Sequence, residues 1–416
     1  MTEPNSFIVG RAKEVEQFSK LVKGTTKHWM LNIYGPGGIG KTVVGQKMQE
    51  HAQSTSVPIA FVDGIQPDLT PDRILFEIKA GLARTESLVD SFQDFDRQFE
   101  EHLIVQEVLQ RGGGMQSIFD ALGNVTDPTG LAQILTGLGK TITEETKRII
   151  SNRFALERYL RGTEKILTSS LSTSLSQAVE KSGQSLAIIV DTYEELEGLD
   201  DWFCRTLTPA LPSGVKLIVL GRTALAKVNF DWAEHGQALF QMELPELEEG
   251  DAKAYLVHRG LRDNAALDKI YRFTGGYPLL LVLVWHLSRE AGGWNNIGEL
   301  EAQADRDRIA TKLLERILRE ERVKEVQAFL EKGVVARWFT PETIRVILEI
   351  DANDARRIYG QLERHSFVER HPYGLKFHDK IRELLLERLK FDRPEYDRIV
   401  KRLSNYFAEK AGLQKK

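Results

Sequence analysis

The stretch Gly35-Pro36-Gly37-Gly38-Ile39-Gly40-Lys41-Thr42 fits the pattern G-x-x-x-x-G-K-[ST], and nothing else in the chain narrows its possible folds so far. Such a loop works only where a buried strand delivers it and a helix leaves it. Its backbone N–H groups then turn inward around a phosphate, and the positive end of the helix dipole adds to their field. The flanks comply. Trp29 to Tyr34 (WMLNIY) is an apolar run of buried-strand length, and Val43, Val44 and Met48 open a helical spacing. This predicts strand, loop and helix in an α/β core. Within it Gly35, Pro36, Gly37, Gly38, Ile39 and Gly40 cradle the phosphates of ATP or ADP, with Val43 in the first turn beside them. Lys41 reaches the β- and γ-phosphates, and Thr42 ligates Mg²⁺ through its hydroxyl.

More strands follow at the spacing of a parallel sheet. Ile59 to Asp63, Leu186 to Val190, Val215 to Leu220 and Leu239 to Leu244 are short apolar runs with helical patterns between them. Ligands of such sheets sit at the carboxyl ends of the strands, where Gly35, Asp191 and Arg222 fall. Asp191 closes the strand of LAIIVDTYEEL and is the expected second Mg²⁺ ligand, of Walker B form. A carboxylate that polarises water belongs within one turn of it. Glu194 and Glu195 both qualify, and Glu194 is favoured. Arg222 follows VKLIVLG and aims a fixed positive charge at the γ-phosphate.

At 416 residues the chain exceeds one compact core. The boundaries read as a nucleotide-binding domain over 1–245 with a helical insertion at about 85–181, a helical lid over 246–320, a winged helix over 321–392 and a last helical stretch over 393–416. Within the insertion Gly112-Gly113-Gly114 and Asp127-Pro128 are breaks. The winged helix rests on three helices (Val323 to Ala336, Pro341 to Ile350, Asn353 to Arg364) and a hairpin that turns at His371-Pro372-Tyr373-Gly374. One cysteine, Cys204, excludes an intramolecular disulfide framework and a thiolate-rich metal site. With no secretory signal and no bilayer-length apolar run, the expectation is a cytoplasmic protein without a membrane partner. A net charge of −4 gives no global pull toward nucleic acid, yet from Arg322 onward Lys and Arg outnumber Asp and Glu.

Taken in order, these features resemble the STAND signal-transduction ATPases, an AAA+-related class. Phe7-Ile8-Val9-Gly10-Arg11 with Glu14 looks like the family's opening box, which places Val9 and Arg11 against the nucleotide. Gly276-Tyr277-Pro278 is similar to its G-x-P motif, whose proline packs on the adenine. Phe377-His378-Asp379 looks like its M-H-D motif with Phe for Met, and the resemblance implies that His378 meets the β-phosphate of ADP and locks the wing over the site. Two departures stand out. About 150 positions separate Lys41 from Asp191, wider than the family's spacing, and the double acidic Walker B is here Asp191-Thr192. The resemblance therefore implies a slow ATPase switch that oligomerises when it opens, with an unknown signal and effector. The family's effector domain and repeat array are not evident, and the last helix reads as a possible start of an array. An alternative resemblance, to archaeal origin-recognition ATPases, makes Asn353 to Arg364 a recognition helix with Arg356, Arg357 and Arg364 on DNA. DNA is the less favoured partner on sequence grounds, because Asp354 and Glu363 share that helix and the wing tip carries no definite cation.

Overall fold

The computed structural model describes residues 9–66, 69–111, 144–150, 152–290, 310, 311, 314, 315, 318, 321, 323–363, 365 and 367–413. Phe7, Ile8, the breaks at 112–114 and 127–128, Arg322 and Arg364 lie outside them. The chain divides into two compact units. One comprises residues 13–34 and 44–243, and the other comprises the first 12 residues, Gly35–Val43 and Leu244–Lys416.

In the first unit five strands form one parallel sheet: β1 (Met30–Tyr34), β2 (Ile59–Asp63), β3 (Leu186–Asp191), β4 (Val215–Gly221) and β5 (Leu239–Glu243), in the order β2-β3-β4-β1-β5. Every residue of β3 is buried, as expected of a strand covered on both faces. Register places Asp63 beside Asp191 and Tyr34 beside Gly221, so these positions share one edge of the sheet. A single polar side chain, Asn32, is fully buried in β1, between β4 and β5. Its Nδ2 donates to the Val219 carbonyl (3.1 Å) and its Oδ1 accepts from the Leu225 amide (3.1 Å), which ties the chain after β4 back to the sheet. Both polar atoms thereby gain partners, as burial demands.

α1 (Ala12–Val22) precedes β1, and between β1 and β3 run α2 (Lys41–Ser54), α3 (Pro71–Leu82), α4 (Gln93–Arg111), α5 (Glu144–Ile150) and α6 (Arg153–Ser182). The segment read as an insertion is helical where it is described, yet its far end is integral to the core. Leu167, Leu171, Leu175 and Ala178 fall on one stripe of α6 and pack with Ile188, Val190, Leu217 and Phe92. A second, smaller cluster joins Ile104, Val105 and Val108 of α4 to Ile150 and Leu156.

The second unit holds the phosphate loop, the lid helices α7 (Glu249–His258), α8 (Asn264–Thr274) and α9 (Pro278–Glu290), and the winged helix. The winged helix is built from α10 (Lys324–Lys332), α11 (Pro341–Leu348), α12 (Ala352–Leu362) and the hairpin of β6 (Val368–His371) and β7 (Gly374–Phe377). An isolated antiparallel bridge pairs Phe339 with Leu375 of the hairpin. Phe329, Phe339 and Phe377 form its core, with Phe339 centroids 4.9 Å from Phe329 and 5.0 Å from Phe377. Phe377 is therefore a core residue of the wing, which accounts for an aromatic where the resembled motif has Met. α13 (Asp379–Phe391) and α14 (Arg393–Leu413) complete the chain. The architecture is that expected: a P-loop α/β core with a parallel sheet, a helical lid and a C-terminal winged helix. No helix among the described residues is long and apolar enough to cross a membrane.

Candidate functional site

Positive φ angles at Gly38 (+88°) and Gly40 (+96°) curl the loop between β1 and α2, the alternation that builds an anion-binding nest. Curling inward with N–H groups sends carbonyls outward, and each outward carbonyl needs a donor. Here all five from Gly35 to Ile39 have one. Lys41 Nζ donates to Gly35 O (2.8 Å) and Pro36 O (3.2 Å). The Tyr277 hydroxyl donates to Gly37 O, the Leu279 amide to Gly38 O (3.2 Å), and Arg11 Nη2 to Ile39 O (2.7 Å). The amides of Gly38 and Gly40 donate to no protein acceptor among the described residues.

Arg11 is buried, and its other terminal nitrogen donates to Pro245 O (2.6 Å). Its guanidinium thus braces the loop through the Ile39 and Pro245 carbonyls. Val9 is half-buried just before it, and Gly10 combines φ +68° with a position where the Asp251 side chain fills the space a Cβ would need. Thr42 and Val43 are half-buried in the first turn of α2. Pro278 starts α9 with its ring near Gly40, where an added Cβ would lie 4.0 Å from it. The glycine of the same motif is fixed sterically. Gly276 has φ +76°, and a Cβ there would strike the Leu247 carbonyl. Gly276→Ala is accordingly expected to lower stability by about 2–4 kcal/mol in urea denaturation, the sum of left-handed strain and overpacking.

At the edge of the sheet, Asp191 is buried and its Oδ1 accepts from the Thr192 amide (2.9 Å). Thr192 is left-handed (φ +54°), and Gly64 approaches its carbonyl so closely that a Cβ would sit 2.5 Å away. A 3₁₀ turn over Tyr193–Leu199 follows. Glu194 and Glu195, alike in sequence, part company in this turn. Glu195 is exposed, while Glu194 lies over the end of β4, with Oε2 buried and without a hydrogen-bond partner and Oε1 accepting from Arg222 Nε at 2.8 Å. Two side chains read separately as water-orienting base and γ-phosphate cation are thus partners of each other. The turn is anchored from below by Asp200, which accepts from Tyr193 Oη (2.5 Å) and Trp232 Nε1 (2.9 Å). Burial, and next the Asp200 carboxylate, push the Tyr193 phenol above its ordinary range. The same two causes raise the Cys204 thiol to about 11, so this lone cysteine is an unreactive core residue.

His378 caps the N-terminus of α13. Its amide donates to Phe367 O (2.9 Å), its Nδ1 is buried without a partner, and its side chain makes no hydrogen bond to the phosphate loop among the described residues. Of the residues singled out from sequence, the structure gathers Gly35 to Lys41, Arg11 and Pro278 into one cluster and pairs Glu194 with Arg222. Tyr277 and Asp200, which no motif assigns a role, emerge only from their contacts. Among the described residues no group of three or more His, Cys, Asp or Glu side chains is placed to hold a metal by itself.

No protein-family model and no curated protein matches the chain. Solved structures similar to it include the Orc1 protein of Aeropyrum pernix in complex with DNA, at 14% identity and TM-score 0.37, covering 94% of this chain and 95% of that one. Cdc6p from Pyrobaculum aerophilum is similar at 13% identity and TM-score 0.37, over 92% and 96% of the two chains. A Thermotoga maritima RuvB variant is similar at 12% identity and TM-score 0.31, over 91% and 95%. Likeness at this level assigns no activity. The sheet order, the curled glycine loop ahead of α2 and the buried aspartate ending β3 by themselves define the P-loop NTPase fold.

Proposed function

We propose that the chain is a Mg²⁺-dependent ATPase. The observation that carries this is the loop whose five outward carbonyls are all occupied while the amides of Gly38 and Gly40 remain for an anion. That donor set suits the β-phosphate of a nucleotide, with Lys41 exchanging Gly35 and Pro36 for phosphate oxygens. Thr42 and Asp191 are the hard oxygen ligands Mg²⁺ prefers, and the ion when bound would neutralise charge on the transferring phosphoryl group. Glu194 orients the attacking water. Val9, Val43 and Pro278 line the nucleotide's approach. Asp191→Asn is expected to cut Mg²⁺-dependent ATP turnover by about 100-fold while ATP binding in EDTA stays within threefold. A wild-type chain that neither releases adenine nucleotide on denaturation nor hydrolyses ATP with Mg²⁺ sinks the reading.

For the output we infer association with DNA through the winged helix. Arg356 and Arg357 are exposed on α12, in a C-terminal region where cations are in excess. Their partners are local. Arg357 pairs with Asp354 (3.1 Å), Arg356 Nε donates to Ala352 O (3.1 Å), and nearby Arg370 pairs with Glu363 (2.9 Å). Surface pairs of this kind are worth about 0–1 kcal/mol, so a phosphate backbone can displace them. A duplex titration across salt concentrations tests this, since a DNA binder shows a steep fall of log K with log salt and a flat response excludes it. A STAND-type signalling switch is the second reading, favoured by the contact of the Gly276-Tyr277-Pro278 turn with the phosphate loop. It requires tightly held ADP on a monomer and a larger assembly with an ATP analogue. Solution mass under both conditions decides.

A further inference from the structure

A peptide plane is rigid, so fixing the direction of one carbonyl fixes the N–H of the next residue in the opposite direction. The Tyr277 hydroxyl holds the Gly37 carbonyl, which sets the Gly38 amide. Arg11 holds the Ile39 carbonyl, which sets the Gly40 amide. Both glycines have φ above +80°, a region open to residues without a side chain. Lys41 cannot do this work once it turns to a phosphate, because it leaves Gly35 and Pro36 behind. Tyr277 has no charge to draw it toward phosphate and is 2% exposed. The side chain of Leu279 adds contact from the same turn, since a Cβ on Gly38 would lie 2.9 Å from it.

We propose that Tyr277 is a positioning residue for nucleotide binding: by holding the Gly37 carbonyl outward, its hydroxyl aims the Gly38 amide into the phosphate site. The inference rests on the reading of the loop as a nucleotide site. It goes further by assigning a role to the middle residue of the turn, whose proline alone is implicated by resemblance, and it makes the turn that leads into α9 part of the phosphate cradle.

Tyr277→Phe keeps the buried ring and removes only the hydroxyl. In the full chain, titrated with ADP and with AMP, the variant is expected to bind ADP about 5- to 10-fold more weakly, the equivalent of one hydrogen bond of about 1–1.4 kcal/mol. AMP has no β-phosphate to place in the loop, and its affinity should stay within twofold. KM for ATP should rise by a similar factor with kcat unchanged, and the melting temperature without nucleotide should hold within about 2 °C. A merely structural tyrosine would lower that melting temperature and weaken both nucleotides alike. ADP affinity within twofold of wild type, or equal losses for ADP and AMP, overturns the assignment. A wild-type chain that binds no ADP overturns the nucleotide reading itself, a result the wild-type arm shows before the variant is compared.

Discussion

Lys41→Ala is expected to weaken ADP and ATP binding by about 100-fold or more and to abolish turnover. The lysine contributes two charge-assisted hydrogen bonds to phosphate oxygens, each of about 1.5–3 kcal/mol, and every 1.4 kcal/mol is tenfold in affinity. The gain is net of what Lys41 gives up on leaving the Gly35 and Pro36 carbonyls, which are neutral acceptors and the weaker partners. The lysine's hydrogen bonds to the Gly35 and Pro36 carbonyls are worth about 1.5–3 kcal/mol each because the donor is charged, so the variant should melt lower than wild type while staying folded at about 25 °C. Isothermal titration with ADP checks the affinity, and thermal unfolding without nucleotide checks the fold. Binding within fivefold of wild type would place the phosphate elsewhere.

Turnover should collapse in a different way when the carboxylate over β4 is neutralised. Glu194→Gln preserves side-chain length and the contact over Gly221, and it removes the charge that polarises water. General-base contributions run to about 10²–10⁴-fold, so ATP hydrolysis is expected to fall by at least 100-fold with ATP affinity within threefold of wild type. Glu195→Gln is the internal control. Its side chain is exposed, and its turnover should match wild type within twofold. A loss in Glu195→Gln and none in Glu194→Gln would reverse the assignment. Arg222 adds a distinguishing mark: it donates to Glu194 at 2.8 Å, so the two side chains are coupled and the effects of Glu194→Gln and Arg222→Gln should not add.

How far the residues announce this arrangement depends on how local each cause is. The glycine loop, the five strands and the wing rest on patterns contained within ten or twenty positions, and β2 over Ile59–Asp63 begins and ends where the apolar run does. Tyr277 shows the limit. Its hydroxyl meets an acceptor 240 positions away, and in the sequence it is only the variable letter between Gly276 and Pro278. Arg11 is legible as part of a box, but its bonds to the Ile39 and Pro245 carbonyls are not, because backbone acceptors carry no sequence signal. Glu194 and Glu195 are indistinguishable as letters, and the left-handed residue before the turn sends one inward and one outward. The far half of α6 reads as an insertion only because the segment before it is long. Its stripe of Leu167, Leu171, Leu175 and Ala178 is visible in the sequence once the helix is known to run unbroken.

Thr192 carries one further consequence. A β-branched residue in the left-handed region costs about 1–2 kcal/mol, and here it sits on the peptide that follows Asp191. Heat resistance and the aim of the neighbouring carboxylate therefore pull against each other at a single dihedral angle. Any effort to make this enzyme hardier by relaxing that kink trades durability against rate.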